Sequence, residues 1–496
     1  MGQLIFSTNT AASKQLSRKT SNGQLIRVYK GIYTDAQHDE IPSLIDGNWA
    51  DIVSYLQPNC ILAYRTAFEM RPVNGHVFVV ADVKSRFKIH VSKSLTINVL
   101  PGNTSLMTTR LLIQLRNSNF SRQLLENLSP SRKSKSIEKS LGKHWVEEQL
   151  VKILKKRGED ELNLIRDEAR SYSSECGLAD MFNELNTIIS ALLTSHPIEG
   201  VLESDIAISK VSNTPYDVDR VNLFKSLADY LLHFKFDPIS YQYSSSSWRN
   251  LSFFESYFSN YIEGTEFEID EAESIIFAHT EIKGRHADSH DISSIFDQVS
   301  DYQEMSKTPD SPEAFVDEIR QRHLMFMQKR QDKNPGQLKV KPNKAGSTMF
   351  VSPEETVGTL IKGFEICKSL PPGLSRAIFV QFLVSECHPF DDGNGRLSRI
   401  MMNAELHAVD QYKIIVPTVH RESYLNGLRL ASREGKFKTL VKVFYQLQCY
   451  TSSLDWNDYG EVRDQIELHK AHLSPDEGVA DFNRQIRKFK FSSNVL

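Results

Sequence analysis

Apolar residues recur three and four positions apart through most of the second half of the chain, a spacing that predicts helices. The clearest case is LSFFESYFSNYIEG (251–264). Its apolar residues at 253, 254, 257, 258, 261 and 262 form a one-sided stripe, and Gly264 is placed to end it in a left-handed cap. SPEAFVDEIRQRHLMFMQ (311–328) opens with Ser-Pro and an acidic turn, as helices commonly start. RAIFVQFLVSEC predicts a helix ending at Cys387, and RLSRIMMNAELHAV a new one starting near Gly395. Between 334 and 353 the helical run breaks. Pro, Asn and Gly there predict a β-hairpin, with strands near 337–341 and 347–351.

The first hundred residues read differently. GQLIRVYKGIYT (23–34) opens with a turn glycine and reads as a strand rich in β-formers. DIVSYLQPNCILAYRTAFEM (51–70) is helical around a proline break. RPVNGHVFVVAD (71–82) gives an Asn-Gly turn and a strand, and FKIHV and LTINVL two more. From about residue 120 the spacing turns helical again. The basic run Arg132–Lys143 lacks interleaved aromatics, so it reads as a solvated linker or helix face. HFKFDPISYQYSSSSWRN (233–250) is a loop and marks the major boundary.

Composition narrows this picture. The chain has 496 residues, 40% apolar and 24% charged, enough for two to four globular domains. A net charge of −3 gives no global electrostatic case for nucleic acid or an anionic membrane. The five cysteines are scattered without metal or redox spacing, which fits a reducing compartment. There is no signal-peptide pattern and no apolar run of roughly 18 residues, so a cytoplasmic protein without a membrane span is expected.

The densest chemistry is SECHPFDDGNGRLSRIMMN (385–403). Glycines 393 and 395 let the backbone approach a ligand, and the amides of a helix start make an anion site. Arg396 and Arg399, three apart, lie near one helix face. Two guanidinium forks beside such a site suit a polyphosphate. Asp392 is a hard carboxylate placed to hold Mg²⁺ on phosphates. His388 titrates near neutrality and suits a base. Phe390 is the apolar plug of the loop.

His388–Arg399 resembles the Fic-family signature HxFx(D/E)GNGRxxR at every specified position. It differs from the Doc branch, which carries Lys where Gly395 stands and phosphorylates its targets. The resemblance implies an all-α core that transfers AMP from ATP to a Ser, Thr or Tyr hydroxyl of a protein target. His388 would be the base and Asp392 the Mg²⁺ ligand. Gly393, Asn394 and Gly395 would hold the α-phosphate, Arg396 and Arg399 would clamp the β- and γ-phosphates, and Leu397 and Ser398 complete the binding segment. The hairpin at 337–351, with Gly346, Ser347, Thr348 and Met349 at its centre, sits where the family carries a target-docking flap. Tyr424 and Ser432 are candidates for closing over adenine. SNYIEG resembles the family's inhibitory pattern (S/T)xxxE(G/N), with Ser259, Glu263 and Gly264, so Glu263 is expected to occupy Arg399. Removal of AMP by the same site stays open.

Residues 1–125 resemble an AbiEi-type antitoxin module with a winged-helix-like start. That makes a DNA-binding, toxin–antitoxin-like regulator with the core as nucleotide sensor the alternative reading. The expected architecture is multidomain. An α+β domain (1–125) and a helical connector (126–210) precede the Fic-fold core. That core comprises N-terminal helices (211–310, inhibitory helix 251–264), a catalytic part (311–460, flap 337–351) and a C-terminal tail (461–496). The expected partners are ATP, a protein target, a second copy of the chain, and DNA through the first domain.

Overall fold

The periodic segments of the second half form one helical unit, Asn213–Leu496, and the strand-bearing first part belongs to another, Met1–Ser212. The computed structural model describes residues 2–110, 115–131, 137–193 and 200–491. Of the basic run Arg132–Lys143, residues 132–136 lie outside the described residues.

In the first unit the stretch read as one strand at 23–34 is a hairpin. Ile26–Tyr29 and Ile32–Thr34 pair antiparallel, and Leu4–Phe6 adds a third strand. Gly31, at φ +80°, makes the turn that a single strand would lack. A six-stranded mixed sheet follows. Its order is Phe87–His90, Thr96–Pro101, His76–Ala81, Ile61–Leu62, Arg116–Ser118, Thr108–Arg110. The segment 51–70 contains a short strand, Ile61–Leu62, between two helices, because Ile61 and Leu62 are fully buried in the sheet. The helices Phe120–Leu128, Lys143–Tyr172 (broken at Gly158), Ala179–Leu193 and Asp205–Val211 share a core of their own that includes Leu124, Leu150, Leu162 and Leu185.

The helical unit is built around Leu374–Cys387 and Asn394–His407, whose side chains are almost all buried. The loop at 233–250 is not a boundary. Tyr241 N–H donates to Asp410 O and Tyr412 N–H to Ile239 O, which stitch it inside this unit. Residues 461–491 are not a free tail either. Tyr459–Leu468 and Pro475–Ile486 are helices that bury Val462, Ile466 and Phe482 in the same core. The hairpin is tighter than expected: Lys344–Ala345 pairs with Thr348–Met349 around Gly346. Residues 337–341 form no strand, because Lys339 is spent elsewhere. Its N–H donates to Pro389 O, and its Nζ to Asn343 Oδ1 and Cys387 O.

The helix Ser245–Ile262 fixes the position of Glu263. Ser252 and Ser256 are small and buried, and their hydroxyls donate to Val299 O and Ile292 O of the neighbouring helix His286–Ser300. Its end is a Schellman motif. Gly264 N–H donates to Tyr261 O, Thr265 N–H to Asn260 O, and Gly264 sits at φ +92° as expected.

Candidate functional site

The loop between the two central helices begins at His388, which is a non-glycine residue in the left-handed region (φ 48°, ψ 58°). Such backbone strain concentrates at functional sites. Its imidazole stacks flat on Phe350 at 3.8 Å. Nδ1–H donates to Ser385 O at 3.3 Å, which leaves Nε2 as the free lone pair. Burial, aided by Lys339, pulls the imidazole pKa down to about 4, so His388 is neutral near pH 7.

Phe390 is fully buried and stacks on His323 at 3.8 Å. Gly336 N–H donates to His323 Nδ1, so the opposite nitrogen carries the proton and donates to Asp392 O. Asn394 is buried. Its Oδ1 accepts from Phe390 N–H and its Nδ2 donates to Phe390 O, so its side chain holds the loop and only its backbone N–H remains for a ligand. Asp392 Oδ1 accepts from Gly393 N–H at 2.6 Å, and the side chain is partly exposed. Gly393 needs its φ of +74°, and a side chain there would press on the Phe326 ring.

The two arginines part company. Arg399 Nη2 donates to Glu263 Oε1 at 2.8 Å and to Ser259 O at 2.9 Å, while its Nε donates to Ser259 Oγ. Arg396 is not beside it: Nη1 donates to the buried Asp291 at 2.8 Å, against Met327 and the Phe326 ring. Three residues span about 300° of helix, so small differences in side-chain direction separate the two forks. Leu397 lies wholly in the core, and Ser398 Oγ is turned back onto Gly395 O. Neither side chain faces the cavity.

One cavity, of about 520 Å³, is lined by Glu263, Gly346, Thr348, His388, Gly395 and Arg399. Leu425, Leu428 and Ser432 line it too, with Arg429 and Arg433. Tyr424 also borders it but is almost wholly buried beneath, its hydroxyl accepting from Gln381 Nε2. Ser432 Oγ donates to Glu386, which pairs with Arg220. Thr348 Oγ1 accepts from Arg433 Nε, and Met349 O accepts from Arg220, so the hairpin is tied to the cavity wall while Ser347 sits at its turn. A Cβ at Gly395 would collide with the Glu263 carboxylate, which therefore lies directly over the start of the helix Asn394–His407. An acid is favoured at that helix end. Among the described residues no group of three or more His, Cys, Asp or Glu is placed to hold a metal ion.

Sequence reasoning missed the apolar wall, Asp291 and the Glu386–Arg220 pair. Leu425 and Leu428 did carry a signal. They are three apart on Arg421–Glu434 and one turn from Ser432, and they share the cavity lining with Arg429 and Arg433 of the same helix.

A helical unit organised around an HPFDDGNGR loop at the head of a buried helix is a recognisable class, and the family comparison agrees. Residues 314–406 match the Fic/DOC family. The chain carries a Fic-family domain in its helical unit. A 91-residue stretch is 34% identical to Protein adenylyltransferase Fic of Drosophila persimilis, over 18% of this chain and 17% of that protein. The Drosophila willistoni protein of the same name is likewise 34% identical over 91 residues, 18% of each. The chain thus spans about a sixth of the length of these relatives. Among solved structures it is similar to a Fic-1 fragment from C. elegans (15% identity, 66% of this chain and 90% of that one, TM-score 0.35). It is also similar to a Fic-domain-containing signalling protein from Bacteroides thetaiotaomicron (17% identity, 48% and 99%, TM-score 0.35). No helix among the described residues is long and apolar enough to cross a membrane.

Proposed function

We propose that the chain is a self-inhibited protein adenylyltransferase. The observation that carries this reading is the meeting of His388, Gly395 and Arg399 on one cavity, with the Glu263 carboxylate lodged between Arg399 and Gly395.

In this reading a target hydroxyl attacks the α-phosphorus of ATP. The hydroxyl proton goes to Nε2 of His388, the Pα–O bond to the β-phosphate breaks, and pyrophosphate leaves. A neutral imidazole with Nδ1–H fixed on Ser385 O presents that lone pair toward the cavity. The anionic triphosphate, once bound, raises the basicity of His388 from its depressed value. The amides of Asn394 and Gly395 at the helix start are offered to the α-phosphate as an N-terminal anion site, the Gly393 N–H being held by Asp392. Asp392, with one oxygen on the Gly393 N–H and its side chain 39% exposed, is the carboxylate that would hold Mg²⁺. When bound, the ion neutralises charge developing on the leaving pyrophosphate. Leu425 and Leu428 offer the apolar surface for adenine, and the hairpin edge at Lys344–Met349 is the strand on which a target segment would pair.

Glu263 takes the guanidinium needed by the γ-phosphate and puts a carboxylate where a phosphate must come. It therefore acts as the brake. The test is incubation of the full chain with α-labelled ATP, Mg²⁺ and cell lysate, comparing wild type, Glu263→Gly, and Glu263→Gly combined with His388→Ala. Label on protein with pyrophosphate release in Glu263→Gly alone is expected. Absence of both from that variant overturns the reading.

A further inference from the structure

The segment that leads into the hairpin is spent on the loop that carries His388. Lys339 is 3% exposed, and its ammonium donates to two neutral oxygens, Asn343 Oδ1 at 2.8 Å and Cys387 O at 3.1 Å. Its backbone N–H donates to Pro389 O at 2.9 Å. Asn343 continues the grip, its Nδ2 donating to His388 O at 3.1 Å and to Phe390 O at 3.0 Å. The carbonyls of Cys387, His388, Pro389 and Phe390, consecutive in the chain, are thus all held by Lys339 and Asn343. Asn343 also reaches the imidazole. Its own carbonyl accepts from Phe350 N–H at 3.2 Å, and the Phe350 ring lies flat on His388.

A fold anchor would be the simplest account of these bonds, but a buried ammonium is a poor choice for one. None of the ion pairs among the described residues includes Lys339. The acid that attracts it, Asp391, accepts instead from Asn334 Nδ2. Burying a charge on neutral acceptors costs free energy, and burial pulls the Lys339 pKa down to about 8. An apolar side chain of the same length would fill the space at less cost. It could not hold carbonyl oxygens. Those oxygens belong to the loop in which His388 takes its left-handed conformation, and such a conformation persists only where the surroundings over-determine it.

We propose that Lys339 and Asn343 are positioning residues for His388: they fix the backbone of 387–390 and, through Phe350, the plane of the imidazole, so that Nε2 keeps one place on the cavity. This assignment rests on the adenylyltransferase reading, in which His388 takes the proton of the target hydroxyl. Neither residue lines the cavity, so both act through His388 and not on ATP. Asn343 directly precedes the hairpin strand Lys344–Ala345. One piece of chain therefore sets both the base and the edge on which a target segment would pair.

The experiment uses the full chain in the Glu263→Gly background, with α-labelled ATP, Mg²⁺ and desalted lysate as the source of target, above the ordinary imidazole pKa. Lys339→Met keeps the side-chain length and removes the ammonium. Asn343→Asp keeps the shape and gives Lys339 a carboxylate, but sets an acceptor against two carbonyls. Each should lower the maximal labelling rate by about 10- to 100-fold, the cost of a misplaced catalytic group. The ATP concentration giving half that rate should stay within about twofold, because ATP binding is untouched. Melting temperatures should stay within about 3 °C of the parent. By hydrogen–deuterium exchange, peptides spanning 385–394 should exchange faster in both variants, and the helix Lys438–Ser452 as before. Parental rates in both variants overturn the proposal. So do rate losses that track losses of melting temperature, a change confined to the ATP dependence, or unchanged exchange at 385–394. If Glu263→Gly itself leaves no label on protein, the adenylyltransferase reading fails and exchange decides the clamp. Faster exchange at 385–394 with an unchanged melting temperature keeps it, and unchanged exchange removes it.

Discussion

Removing the Glu263 carboxylate should switch the site on, and the size of the effect follows from the geometry. Unit charges about 4 Å apart at an effective dielectric of about 20 attract by about 4 kcal/mol. Arg399 is almost fully buried, but the Glu263 side chain is 32% exposed, so solvent recovers part of that energy. Arg399 also keeps its two bonds to Ser259 when Glu263 is gone. A net effect of about 1.5–3 kcal/mol remains, on the order of 10- to 100-fold in productive ATP binding. Glu263→Gly should therefore raise AMP incorporation by about that factor. Arg399→Ala breaks the same pair from the other side yet should be inactive, because the clamp itself is lost. The double variant should be as inactive as Arg399→Ala. The assay is incorporation of label from α-labelled ATP by all four proteins, with melting temperatures alongside. A structural bridge would make the two single variants alike in both measurements. If Glu263→Gly is no more active than wild type, and as destabilised as Arg399→Ala, the brake is refuted.

Four further outcomes are expected. His388→Ala in the Glu263→Gly background should lose about 10²–10⁴ in transfer rate while ATP binding by calorimetry is retained; a near-normal rate would remove His388 as the base. Asp392→Ala should lose Mg²⁺-dependent turnover, and an unchanged metal titration would show that the ion binds elsewhere. Asp291→Ala leaves the buried Arg396 without its closest acid and should cost roughly 3–5 kcal/mol, seen as a lower denaturant midpoint; an unchanged midpoint means that pair is not a structural anchor. The pKa values of His407 and His420 are held down to about 4, mainly by burial and then by Lys413 and Lys442, respectively. At these two sites the unfolded chain therefore binds more protons between pH 6.5 and 4, so their contribution to stability should fall as pH drops through that window. His420→Leu should flatten the fall, as followed by circular-dichroism melts across the pH range.

How much of this was legible in the sequence depended on the range of the interactions involved. Local features were readable because their causes lie within a few residues. The helix start at Ser311–Pro312, the stop at Gly264 and the plug at Phe390 are each set by near neighbours or by the residue's own polarity. The hairpin register was misplaced because Lys339 makes long-range bonds to Cys387 O and Pro389 O. These withdraw 337–341 from strand pairing, and nothing near 339 announces it. The 233–250 loop looked like a boundary because it is polar, but its backbone partners lie at 410 and 412. Polarity reports solvent or hydrogen bonding and does not say which.

The two arginines make the same point within the site itself. Spacing places Arg396 and Arg399 near one face, and the family signature treats them as a pair. Their fates are settled by two acids from other helices, one 105 and one 136 positions upstream. Asp291 meets Arg396 behind the loop, against Met327 and Phe326, where both charges are buried. Glu263 meets Arg399 on the cavity side and stays partly wet. A buried pair is costly to break, and a partly solvated one is cheap to exchange for a stronger anion. Under the proposed function, that difference assigns Arg396 to anchoring the loop and Arg399 to the triphosphate, and it sets the proposed brake on the arginine whose acid partner is partly solvated.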